Sequence, residues 1–163
     1  MYQRILVPVD GSPASSNGLR EAIALAKLTH GRILLLHVVD DMSLLISSAE
    51  YAGLNAGMFA ALREAGEKVL AEAKSEVERA GVAVETKLFE NVDLPLWQRV
   101  VSLVPQWRAD LVVMGTHGRR GVRRVVLGSD AEQVVRTASV PVLLVRAGED
   151  EPRAEPRARP RTP

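Results

Sequence analysis

Five short apolar runs rich in β-branched residues recur along the chain: Ile5–Val9, Ile33–Val39, Val82–Phe89, Leu111–Met114 and Val140–Val145. Four of them are nearly continuous in hydrophobicity, the pattern of strands covered on both faces. Val82–Phe89 alternates instead, through Val82, Val84, Thr86 and Leu88, and predicts an edge strand with one wetter face. Between the runs the apolar period lengthens to that of a helix. Leu19, Ala22, Ile23 and Ala26 mark a first helix; Leu62, Ala65, Val69, Ala73, Val77 and Ala80 mark a longer second, ended by Gly81 at a C′ position. Leu96, Val100, Leu103, Val104 and Trp107 mark a third, with Pro95 near its first turn, and Ala131, Val134, Val135 and Ala138 a fourth, stopped before Pro141. Strands alternating with helices imply right-handed βαβ crossovers and a parallel sheet. The stretch Asp41–Phe59 fits neither period and is long for a connection; it reads as a partly helical, mobile segment or, equally, as a poorly patterned first part of the second helix.

Composition narrows the picture without adding a function. A chain of 163 residues suffices for one domain with a core. A net charge of +1 gives no field to steer it toward nucleic acid or an anionic membrane. The absence of cysteine removes disulfides, thiolate metal sites and a cysteine nucleophile, and suits a reducing compartment. No apolar run approaches the ~20 residues needed to span a bilayer, and the first ten residues do not form a signal peptide. A soluble cytoplasmic protein is therefore expected, with one domain over residues 1–146. From Ala147 onward Arg153, Arg157, Arg159 and Arg161 offset Glu149, Asp150, Glu151 and Glu155, and no apolar period remains. Such a segment buries too little apolar surface to offset its ordering entropy, so residues 147–163 read as a disordered tail.

The candidate chemistry lies between the fourth strand and the fourth helix, in Gly115-Thr-His-Gly118-Arg-Arg-Gly121-Val-Arg-Arg-Val-Val-Leu-Gly128-Ser129. Glycines let backbone N–H groups approach an anion, and a helix start adds unpaired donors and the positive end of a dipole. Thr116 and Ser129 add hydroxyls; Arg119, Arg120, Arg123 and Arg124 add charge. A structural explanation competes: Ser129 with Glu132 makes a capping box, and the glycines serve as turn residues. The spacing matches neither a P-loop nor the dinucleotide fingerprint. His117 lacks a nucleophile or carboxylate partner and reads as a loop residue, His37 as a satisfied core residue, and His30 as a cation at a helix C-terminus. The three do not have metal-ligand spacing.

Taken together, Gly115-x2-Gly118-x9-Gly128-Ser129, the opening ILVPVDGS, and ILLLHVV, ADLVVMGTHGR and VPVLLV in that order resemble the universal stress protein family, specifically its ATP-binding branch. The resemblance runs from about Tyr2 to Arg146. It implies an α/β fold with a five-stranded parallel sheet in order 3-2-1-4-5 and helices on both faces, of the adenine nucleotide α-hydrolase-like type. In that order strands one and four form a topological switch point, where ligands sit beyond the strand C-termini. By resemblance Asp10 would contact the ribose or the polar side of adenine, with Pro8 and Val9 lining the pocket. Val38 would meet adenine through its backbone, and Met114 and Gly115 would border the ribose. Gly118, Arg119, Gly128, Ser129 and Asp130 would surround the phosphates of ATP, AMP or ADP, with Mg²⁺ or Mn²⁺ arriving on the phosphates. Asp10 also suits an Asx turn ahead of Ser12-Pro13, the expected N-cap and N1 of the first helix.

Two positions depart from the family pattern. Asp130 stands where the family has a small or apolar residue, and the segment after strand three, 90–97, lacks a glycine common there. The resemblance further implies a homodimer through the last strand, Val140–Val145, and a nucleotide-dependent regulatory switch with no catalytic residue. A slow ATPase or nucleotidyl-transfer enzyme is the enzymatic alternative, although no HxGH or SGGxDS signature is present. A dimeric scaffold without ligand is the third, and the retained glycines speak against it because structure alone would tolerate alanine at several of them.

Overall fold

The computed structural model describes residues 1–39, 55–90, 94–118 and 127–147. The tail from 148, most of the 41–59 connection and Arg119, Arg120, Arg123 and Arg124 lie outside the described residues. The elements run β1 (Arg4–Pro8), α1 (Pro13–Thr29), β2 (Arg32–Val39), α2 (Asn55–Arg79), β3 (Ala83–Glu90), α3 (Leu96–Trp107), β4 (Leu111–Gly115), α4 (Ser129–Thr137) and β5 (Val142–Val145). All five strands are parallel, in the order β3-β2-β1-β4-β5.

Alternation along the central strands splits the core in two. Ile5, Val7, Ile33, Leu35, Leu111 and Val113 point to one face, where Leu19, Ala22, Ile23 and Ala26 of α1 and Leu70, Ala73 and Val77 of α2 cover them. Leu6, Leu34, Leu36, Val112 and Met114 point to the other, under Val100, Leu103 and Val104 of α3 and Ala131 and Val134 of α4. Each such side chain contributes about 1.5–3 kcal/mol on full burial, which is why the apolar runs read as continuous rather than alternating. β3 has a partner on one side only and its side chains are exposed or half-buried throughout, as its alternating sequence predicts.

The helix ends follow the expected chemistry in two places. Ser12 caps α1, its Oγ accepting from Ser15 N at 3.2 Å, with Pro13 following. Gly81, at φ 75°, closes α2 with Val82 N donating to Val77 O and Gly81 N to Glu78 O, a paired arrangement that a left-handed residue makes possible.

Other expectations need correcting. Helix α2 starts at Asn55, which agrees with the reading of 55–59 as the first part of that helix, but its buried line runs through Gly66 and Leu70 while the marker Ala65 is exposed. The reason lies underneath: a Cβ on Gly66 would stand 2.8 Å from His37 Cδ2, so a side chain there would have to displace the His37 ring. Val135 is 48% exposed and faces away from the core. The N-cap of α4 is Gly128, without a side-chain cap, so Ser129 is already helical and the expected capping box does not form; Glu132 pairs with Arg136 at 2.8 Å instead.

Candidate functional site

Strand β1 feeds α1 on one face of the sheet and β4 feeds α4 on the other, so the chain leaves a crevice above the ends of these two neighbouring strands. Residues after β1 make its first wall. Ser12 N donates to Asp10 Oδ1 at 2.9 Å, Asp10 N donates to Ser15 Oγ at 3.2 Å, and Gly11 between them takes φ 77°. This is the Asx turn expected from the sequence, and it fixes the Asp10 carboxylate by one oxygen.

The second wall comes from β4. Thr116 is buried and ties three elements together: its N–H donates to Val145 O at the end of β5 at 2.9 Å, and its carbonyl accepts from Gly128 N, before α4, at 2.9 Å. The loop from Gly118 to Gly128 therefore leaves and returns at one point, with the start of α4 beside it. Asp10 and Gly118 meet across the crevice. A Cβ built on Gly118 would lie 2.8 Å from Asp10 Oδ2, so the absence of a side chain there lets the loop backbone close over that carboxylate oxygen.

Val38 enters through its backbone. Leu36 O accepts from Val9 N at 2.8 Å, so the even-numbered residues of β2 turn their peptide groups toward β1. β1 ends opposite Leu36, hence the peptide groups of Val38 face the space past that end. Val9 is buried, and its carbonyl accepts from His37 Nδ1 at 2.7 Å. A carbonyl cannot donate, so Nδ1 carries the proton and His37 is the satisfied core residue the sequence suggests.

The motif glycines divide into two kinds. A Cβ on Gly115 would fall 2.8 Å from Ala14 C and 2.9 Å from Ser15 N, backbone that cannot swing aside. Gly18 of α1 faces the same place, 3.4 Å from Met114 C for its added Cβ. Gly115 is thus required by the packing of α1 on β4. The fold alone does not tolerate alanine at this position, so Gly115 is not among the motif glycines that structure would release. Gly118 meets only a side-chain oxygen, and Gly128 meets Thr116 O at 3.3 Å.

Asp130 behaves unlike its neighbours. Its Oδ1 accepts from Trp97 N at 3.2 Å, across thirty-three residues of sequence. Helix α3 begins at Pro95, which offers no side-chain cap, and it has no acid in its first turn; Asp130 supplies the acceptor from the adjacent helix. No local pattern could reveal this contact. His117 Nδ1 and Thr116 Oγ1 lie 2.9 Å apart, while His117 Nε2 is buried without a hydrogen-bond partner among the described residues. Among the described residues no group of three or more His, Asp or Glu side chains could hold a metal ion, and no helix is long and apolar enough to cross a membrane.

Comparison with known proteins agrees with this architecture. The sequence model of the universal stress protein family matches residues 1–146. Universal stress protein MJ0531 of Methanocaldococcus jannaschii is 34% identical over 146 residues, covering 90% of this chain and 83% of the relative. The solved structure of MJ0577, from the same organism, superposes with a TM-score of 0.74 at 27% identity, covering 90% of this chain and 96% of that one. A universal stress protein family structure from Burkholderia pseudomallei superposes with a TM-score of 0.68 at 32% identity, covering 88% and 96%. Two more distant neighbours of the same fold are solved as complexes, a universal stress protein with cAMP and one from Archaeoglobus fulgidus with dAMP, at 22% and 20% identity and TM-scores of 0.62 and 0.60.

Proposed function

The chain belongs to the universal stress protein family, and we propose that it binds an adenine nucleotide, ATP by its resemblance to that branch, and works as a nucleotide-dependent switch. The observation that carries this reading is the meeting of Asp10 Oδ2 with Gly118 at the switch point. A carboxylate held at the switch point beside a glycine suits a ribose hydroxyl, which donates to it, with the phosphates passing toward the N-terminus of α4 at Ser129. The peptide groups of Val38 suit the edge of adenine, and the unmet His117 Nε2 is a polar atom that a ligand oxygen can satisfy. Neighbours that hold cAMP and dAMP share the fold at 20–22% identity and lend the ligand class, while the residues that recognise it here are this chain's own. Mg²⁺ or Mn²⁺ would ride on the phosphates.

Denaturing the purified protein and separating the supernatant by chromatography should release an adenine nucleotide, or calorimetric titration of stripped protein should show it binding. Gly118→Val should weaken that binding at least ~10-fold by filling the space over Asp10; equal affinity in the variant would remove Gly118 from the site. We also propose that the chain dimerises through 140–145. β5 is an edge of the sheet, and Leu143 on it is 37% exposed. Leu143→Lys should then sediment as a monomer where the parent sediments as a dimer.

A further inference from the structure

We infer that Asp130 grades the site's affinity by phosphate charge, holding a negative charge at the phosphate end so that each added phosphate is bound less strongly than it would be beside a neutral residue. This rests on the nucleotide reading above and adds the charge class of the ligand. Asp130 is the second helical residue of α4, directly after the Gly128–Ser129 start that would receive phosphate. An acid on an ordinary exposed first turn can rotate into solvent when an anion approaches. Asp130 is half-buried, and its Oδ1 is engaged by Trp97 N at 3.2 Å. Rotating out would strip α3 of that acceptor, since Pro95 provides none and α3 has no acid in its own first turn. The carboxylate is therefore retained where it is by a second helix. No described lysine or arginine lies within ion-pair distance of it; Arg136 on the same helix pairs with Glu132.

Two helix starts meet at this carboxylate. Held there by α3, it adds its repulsion to each further phosphate charge, less for the more distant ones. Over the about two charges that separate AMP from ATP, carried on phosphates progressively farther from Asp130, this amounts to roughly 3- to 10-fold in affinity. Glycine or alanine at this position would leave the cradle open to polyphosphate; a capped aspartate discriminates by charge.

The test uses the full chain, stripped of ligand, and calorimetric titration with adenosine, AMP, ADP and ATP at low and high salt. Asp130→Asn keeps an acceptor for Trp97 N and removes the charge. It should raise affinity for ATP by about 3- to 10-fold more than for AMP, with ADP between, and the gain should shrink in 0.5 M salt. Asp130→Ser, a shorter neutral acceptor, should follow the same order, and thermal melting of each variant checks that it is folded. An unchanged ATP-to-AMP affinity ratio in both folded variants, with nucleotide still binding, would overturn the inference and leave the nucleotide reading standing. Failure of the parent and of both folded variants to bind any of the four ligands would overturn both.

Discussion

Two glycines three residues apart, Gly115 at the end of β4 and Gly118 in the loop after it, do opposite work. Around Gly115 the chain is a seam: Ala14 and Gly18 of α1 lie so close to the end of β4 that a Cβ would enter backbone. Around Gly118 it is a mouth: the residue is exposed, and its added Cβ would meet only the end of the Asp10 side chain. The same residue type in one motif therefore reports packing at one position and, on the proposed function, ligand access at the other. A glycine motif is evidence for a site only where the backbone around it leaves room.

Substitutions can break this contrast. The largest effect is expected from Gly115→Val, which must push α1 off β4 and should cost about 3 kcal/mol or more, read as a loss of the cooperative transition or a drop in denaturation midpoint. Gly66→Ala is intermediate. The new methyl presses on the His37 ring, which can shift, so about 1–3 kcal/mol is expected from denaturant melts. Because His37 holds the Val9 carbonyl, this variant should also weaken nucleotide binding modestly. Gly118→Val should give the smallest stability change, within about 1 kcal/mol, while carrying the loss of affinity described above. A Gly118 variant that unfolds, or a Gly115 variant that melts like the parent, would erase the distinction between seam and mouth.

Much of this was legible in the residues. Continuous apolar runs gave β1, β2 and β4 because both their faces are covered, and alternation marked β3 as an edge. Asp10, Gly11, Ser12 and Pro13 encode their turn and cap within four residues, so local chemistry sufficed. The misread positions share a cause. Gly66 was invisible to a search for apolar side chains, since its burial arises from having none. Ser129 and Glu132 matched a capping pattern, but Gly128 is held by Thr116 O and takes the cap position itself. The partner of Asp130 is the amide of Trp97, and an amide has no sequence signature.

The register at the start of the chain bears on how the molecule assembles. β1 lies at the centre of the sheet, yet its neighbour β4 begins only at Leu111, and Asp110 just before it receives N–H groups from Gln3 and Arg4 at 2.9 Å each. As the chain emerges from a ribosome, β1 can pair with β2 early, but its other side stays open until more than 100 further residues have been made. Closure of that side depends on contacts distant in sequence, which makes it slow and leaves an apolar strand edge exposed in the interval. A product truncated before Asp110 would keep that edge for good and be prone to self-association, so Asp110 acts as the latch by which synthesis of the second half completes the first.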